Sequence, residues 1–151
     1  MLVAEKQRTG LVRRLKRPRL VERVVEGTGL ELKKHQFYNH LAMPGYYRQV
    51  DAVVMGSIEE AGGLPMMECA AAGRLPIGTP VGYFEENAKK GGGVLVPLDE
   101  EEFLVTTKLI LKDFKNDSRA YRQKCEWVRE YAIQNYDWSV KVGDWINLIC
   151  K

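Results

Sequence analysis

The run Asp51-Ala-Val-Val-Met-Gly56 sets four apolar residues side by side between an aspartate and a glycine. A strand with one solvated face alternates apolar and polar residues. An unbroken apolar run this short is the pattern of a strand buried on both faces, which points to a parallel sheet covered by helices on each side. The flanking sequence supplies the partners. Thr9-Gly-Leu-Val-Arg13 reads as a first short strand, Leu30 to Phe37 as a second, and Leu75 to Thr79 and Gly93 to Pro97 as two later ones. Pro18 stands where a helix favours its first residue. Leu20, Val21, Val24 and Val25 then form a stripe at helical spacing that runs out at Gly27. Met43 to Gln49 reads as a short turn or helix. Leu64 to Ala72 reads as a helix, with Pro65 near its start and Gly73 past its end, and another is expected around Phe84–Lys90. From Asp99 onward three helices follow, Glu100–Phe114, Ser118–Tyr136 and Ser139–Ile149, with Asp99 and Asp117 as N-caps.

Strands alternating with helices predict an α/β fold, a Rossmann-like doubly wound parallel sheet with a helical C-terminal tail over about residues 99–151. Ligands of such sheets bind beyond the carboxyl ends of the strands, which singles out the loop at 57–63. The 151 residues suffice for one domain with an ordinary core. With 45% hydrophobic residues and a formal charge of only +3, disorder is excluded. No apolar run is long enough to span a bilayer, and MLVAEKQRTG lacks a secretory apolar region, so the expectation is a cytoplasmic protein with at most peripheral membrane contact. Cys69, Cys125 and Cys150 form no C-x-x-C pair. His35 and His40 stand in no zinc-ligand spacing, and no Asp-x-Asp occurs, so no metal and no cofactor is expected.

Charge is uneven. Residues 1–50 hold 11 Lys and Arg against 4 Asp and Glu, and residues 51–151 hold 12 against 16. The densest cluster, Arg13, Arg14, Lys16, Arg17 and Arg19, suits a phosphate ligand or a solvated basic face. It has no aromatic interleaving, so nucleic-acid binding is disfavoured. The stretch Ser57 to Gly73 carries the chemistry. Gly62 and Gly63 have no Cβ, which lets backbone approach a ligand, and the helix behind them offers its unpaired N–H groups to an anion. Glu68 stands among Leu64, Met66, Met67, Cys69 and three alanines that read as packed on the sheet. It either faces solvent or is satisfied by hydroxyl groups of a ligand. Tyr46 and Tyr47 read as a base-stacking or packed pair, and Trp127, Trp138 and Trp145 as core or partner-facing residues of the tail.

Glu60 and Glu68, seven residues apart with Gly62-Gly63-Leu64-Pro65 between them and Cys69-Ala-Ala-Ala-Gly73 after, resemble the E-x7-E signature of retaining glycosyltransferases of the GT-B fold. Glycogen and sucrose synthases and the capsule and lipopolysaccharide transferases typify that group. Met43 to Ser57, Gly78-Thr-Pro-Val-Gly82, Gly91 to Pro97 and Tyr136-Asp-Trp-Ser139 are similar to the family's flanking segments, in the same order. The resemblance runs over residues 9–149 and is densest from 43 to 97. It implies one donor-binding domain over residues 1–151, half of a GT-B fold without the N-terminal acceptor domain. The implied function is hexosyl transfer from a nucleotide diphosphate sugar in polysaccharide biosynthesis, with the acceptor side supplied by a separate chain or a homo-oligomer. The alternative is a non-catalytic nucleotide-sugar-binding or regulatory module. By the same resemblance Glu68 binds the donor ribose. Glu60 and the backbone of Gly62, Gly63 and Leu64 hold the sugar near the diphosphate, and Arg14 and Lys16 neutralise the leaving group. Within the matched region the chain departs from the family in four places: Glu60-Ala-Gly-Gly stands for Glu-Gly-Phe-Gly, Tyr83 follows Gly82, the proline usually two residues after Gly73 is displaced to Pro76, and the segment between the first helix and Met43 is short.

Overall fold

A computed structural model of the chain describes residues 2–6, 18–35 and 39–150. Among the described residues five parallel strands, β1 (Leu2–Lys6), β2 (Glu31–His35), β3 (Ala52–Met55), β4 (Leu75–Gly78) and β5 (Val94–Leu95), lie in the order β2-β1-β3-β4-β5. Val3 stands opposite Ala52, and Ala52 opposite Leu75. The helices are α1 (Pro18–Val25), α2 (Met43–Tyr47), α3 (Leu64–Ala71), α4 (Gly82–Asn87), α5 (Glu100–Asn116), α6 (Ser118–Tyr136) and α7 (Trp138–Ile149). β1 passes through α1 to β2 on one side of the sheet's centre, and β3 passes through α3 to β4 on the other. The strand order therefore reverses between β1 and β3, the kind of position at which ligands of open α/β sheets bind.

The apolar run Ala52–Met55 is β3, and its two faces feed two cores. Ala52 and Val54, with Leu75, Ile77 and Val96, pack against Leu20, Val21 and Val24 of α1 and Phe103, Leu104 and Leu111 of α5. Val53 points the other way, onto Tyr46 and Tyr47 of α2, Met66 and Cys69 of α3, and Phe84 of α4. Each fully buried Leu, Ile or Phe in these layers contributes about 1.5–3 kcal/mol. The alanines of α3 have a second use. Ala70 meets Val128 and Ala132 of α6, small side chains that allow the two helix backbones to approach closely.

Local signals set most of the boundaries. The Asp99 carboxylate accepts from the N–H groups of Glu101 and Glu102, and that of Asp117 from Arg119 and Ala120, so both expected N-caps are formed. Asp137 caps α7 in the same way through Ser139. Gly73, at φ +68°, ends α3 with N–H bonds from Gly73 to the Ala70 carbonyl and from Arg74 to that of Cys69. The first strand differs from expectation. It forms at Leu2–Lys6, whereas Thr9–Arg13 lies outside the described residues. β5 shrinks to two residues because the helix before it continues as a wide turn, Ala88–Gly92, with Gly91 at φ +104°.

The tail is layered rather than uniformly packed. α5 buries Phe103 in the core, while α7 buries no residue and leaves Trp138, Trp145 and Ile146 more than half exposed. Phe103→Ala is expected to cost about 3–5 kcal/mol in urea unfolding, because it opens a cavity under the sheet. Trp145→Ala is expected to change stability by no more than about 0.5 kcal/mol. Equal losses would contradict this layering.

Candidate functional site

The loop from Gly56 to Gly63 leaves β3 at the strand-order reversal and is held from below. A Cβ on Gly56 would come within 3.1 Å of Leu20 and 3.2 Å of Phe103, so the start of the loop rests directly on side chains of α1 and α5. The buried Thr79 hydroxyl donates to the Ser57 carbonyl, and the Thr79 N–H donates to the Met55 carbonyl at 3.2 Å. At the other end of the loop, backbone meets backbone. A Cβ on Gly82 would stand 2.1 Å from the Glu60 carbonyl oxygen and 2.8 Å from that of Ala61, and Gly82 has φ +55°. Tyr83 N–H donates to the Ala61 carbonyl at 3.3 Å. The loop is thus clamped between the end of β4 and the start of α4 by contacts that require a threonine at 79 and a glycine at 82. The flanking segment Gly78 to Gly82 was visible in the sequence, but neither residue's part in the site was.

Gly63 turns the chain into α3. It sits at φ +58°, a conformation that L side chains rarely adopt, and forms the N-cap with no side-chain oxygen to satisfy the helix. Pro65 contributes no N–H, and Met66 N–H turns back to the Gly63 carbonyl at 2.8 Å. Among the described residues no acceptor meets the N–H groups of Gly62, Gly63 and Leu64, and the first turn carries no acidic side chain. These donors and the positive end of the helix dipole make the start of α3 suited to an anion. Leu64 is 50% exposed rather than packed on the sheet as its neighbours suggested, because the first residue of α3 projects beyond the strand ends.

Glu68 lies four residues further along, about 6 Å at the helical rise. It is half-buried, and its Oε2 accepts a 2.8 Å hydrogen bond from the Tyr47 hydroxyl. Its position is therefore intermediate between the two readings left open: partly solvated, and anchored by one donor. Tyr47 is buried, and the loss of water, reinforced by the adjacent carboxylate, pushes its phenol far above the usual tyrosine range. The phenol stays protonated and acts as a donor. Tyr46 and Tyr47 form the packed pair, edge to face with ring centres 5.6 Å apart. Glu60 is half-buried in the loop, where its Oε1 accepts from the N–H of Ala61 at 3.1 Å. Arg14 and Lys16 lie outside the described residues, in the sequence between β1 and α1.

Among the described residues no group of three His, Cys, Asp or Glu side chains is placed to hold a metal ion. A surface depression of about 330 Å³ lies on α6 and the turn before β5, lined by Lys90, Lys124, Trp127, Glu130, Tyr131 and Gln134. It shares no residue with the loop.

The clamp makes a sharp distinction between glycines. Gly82→Ala is expected to destabilise the protein by about 2–4 kcal/mol, from the strained φ and the clash with two carbonyls. A Cβ on Gly62 meets nothing within 4 Å, so Gly62→Ala should stay within about 1 kcal/mol of the parent. Denaturant unfolding of the two variants checks this, and similar losses would contradict the backbone clamp.

The geometry has counterparts among known proteins. The sequence profile of the glycosyl transferases group 1 matches residues 9–113, which include the loop, α3 and Gly82. Among curated proteins, none matches the sequence. Of solved structures, the C-terminal domain of the glycosyl transferase group 1 family protein LpcC from Francisella tularensis superposes with a TM-score of 0.69 at 17% identity, over 89% of this chain and 85% of that one. Sucrose-phosphate synthase from Thermosynechococcus elongatus gives 0.64 at 21% identity, over 87% of this chain and 34% of its own. The pneumococcal O-GlcNAc transferase GtfA, solved with UDP and GlcNAc, gives 0.52 at 14%, over 93% and 35%. This chain thus spans about a third of the length of the latter two, and at these identities the likeness is one of fold. With the profile covering more than half of the residues, the chain belongs to the glycosyl transferases group 1, a family of enzymes that transfer glycosyl groups.

Proposed function

We propose that the chain is the donor half of a retaining glycosyltransferase, binding a nucleotide diphosphate sugar at the carboxyl ends of β1 and β3, where the strand order reverses. The observation that carries the reading is the pairing of N–H groups at Gly62, Gly63 and Leu64, which meet no acceptor among the described residues, with a fixed carboxylate, Glu68, one turn further along α3. That spacing of about 6 Å suits a diphosphate at the helix start and its ribose beside Glu68. Glu60 and the backbone after it face the same end of the sheet and are assigned to the donor sugar.

In the transfer, the bond between the anomeric carbon and the diphosphate oxygen breaks, and its electron pair remains on the diphosphate. The anomeric carbon bonds to an acceptor hydroxyl oxygen, whose proton passes to the departing diphosphate. Negative charge therefore grows on the diphosphate as the bond breaks. Preorganised N–H donors and a helix dipole stabilise that charge in the transition state without reorganising. Arg14 and Lys16 are assigned the same task from the segment joining β1 to α1.

The acceptor hydroxyl has to come from a second domain or chain. The bare apolar face of α7, with Trp138, Trp145, Leu148 and Ile149, supports such a contact, because exposed apolar surface of this kind marks interaction sites. A polysaccharide product and a cytoplasmic site of action accord with this assignment.

Thermal unfolding with millimolar UDP-, GDP-, ADP- or TDP-sugars checks the reading. At least one should raise the melting temperature. Glu68→Ala should remove most of the rise, since loss of a charge-assisted hydrogen bond costs roughly 1.5–3 kcal/mol of binding. No rise with any of the four classes, or an undiminished rise in Glu68→Ala, contradicts it.

A further inference from the structure

We infer that Tyr47 is a positioning residue for ribose recognition, its hydroxyl pinning one oxygen of Glu68 so that the remainder of the carboxylate is preset to accept from a pair of vicinal hydroxyls. This rests on the donor-half reading above.

Tyr47 ends α2 and is 3% exposed, with its ring among Val53, Met66, Cys69 and Phe84. A phenylalanine would fill that space. What the hydroxyl adds is the bond to Glu68 Oε2. The donor's own position is fixed twice. Tyr46 packs edge to face against Tyr47, and the carbonyl of the next residue, Arg48, accepts from Arg74 Nη2 at 3.0 Å. Arg74 lies three residues past the end of α3, so the C-terminal ends of α2 and α3 are tied to each other as well as Tyr47 to Glu68.

Glu68 by itself is a flexible side chain on a half-solvated helix face. Ordering it when a ligand arrives would consume side-chain entropy. The buried phenol removes that freedom in advance. It occupies one lone pair of Oε2, and among the described residues no donor meets Oε1. An ionised carboxylate has about four acceptor positions, so Oε1 and the second lone pair of Oε2 remain for two hydroxyl donors. A ribose presents two such donors on adjacent carbons, and a 2′,3′-dideoxyribose presents none.

Calorimetric titration of the full chain with UDP, GDP, ADP and CDP, each against its 2′,3′-dideoxy counterpart, tests this. The parent should prefer the ribose form of the nucleotide it binds best. Tyr47→Phe should weaken that ribonucleotide about tenfold, the cost of one hydrogen bond to a charged group, and leave the dideoxy form within about twofold. In a Glu68→Ala background, Tyr47→Phe should change neither. Glu68→Gln approaches the same bond from its other end: its amide oxygen can keep the phenol while its NH2 group replaces an acceptor, so the ribose preference should fall with the fold intact. If Tyr47→Phe weakens both nucleotide forms equally, or leaves the preference unchanged, Tyr47 serves packing alone and the inference fails. A parent protein that binds with no ribose preference overturns the assignment of Glu68 itself, and this inference with it.

Discussion

No side chain fits between Gly82 and the carbonyl of Glu60, and the rest of the candidate site depends on that close approach. The loop after β3 has almost no apolar side chains with which to hold itself in place. It is positioned instead by backbone: Tyr83 N–H on the Ala61 carbonyl, and Thr79 reaching the Ser57 carbonyl. These contacts come from β4 and α4, the next units along the chain. The parallel ladder between β3 and β4, with Ala52 opposite Leu75 and Met55 opposite Gly78, brings those two strand ends level. Sheet register and loop position are one constraint seen at two scales.

α3 reconciles two demands that conflict elsewhere in the chain. Its inner face must pack, which Met66, Cys69 and Ala70 do. Under the proposed function its start has to stay open to an anion, and Gly63 turns into the helix without a capping side chain. Glu68 stands at the boundary between these regions. An unpartnered carboxylate among buried apolar neighbours is costly. Here one oxygen is held by a phenol rooted in the core, and the side chain keeps contact with solvent. That arrangement stabilises an acidic group where a ligand rich in hydroxyls can reach it. It also explains why a tyrosine stands at 47, where packing alone would accept a phenylalanine.

The C-terminal helices grade outward from core to surface. α5 places Phe103 beneath the start of the loop, α6 covers α3 through Val128 and Ala132, and α7 touches neither core. The Trp-rich tail that reads from the sequence as core or partner-facing is resolved towards the surface: Trp127, Trp138 and Trp145 are all more than half exposed. Phe103 joins α5 to the sheet, whereas small residues join α6 to α3.

Much of this architecture is local and was therefore legible in the residues. The 3.6-residue stripe of α1, the Pro65 and Gly73 limits of α3, and the caps at Asp99 and Asp117 depend only on neighbours a few positions away. The apolar run at 52–55 announced a strand buried on both faces for the same reason. The first strand, at Leu2–Lys6, escaped notice because a single short segment draws its pairing from β2 and β3, some 30 to 50 residues distant in the chain. Likewise, motif spacing selected Glu60, Gly62, Gly63 and Glu68, but it carried no information on what holds them. Tyr47, Thr79 and Gly82 reach that loop only across gaps of roughly twenty residues that the folded sheet closes. Sequence periodicity and turn chemistry determined which elements form and where the candidate loop lies. Only the tertiary structure decided which distant residues clamp and orient it, because those contacts depend on the register and packing of elements that do not adjoin in the chain.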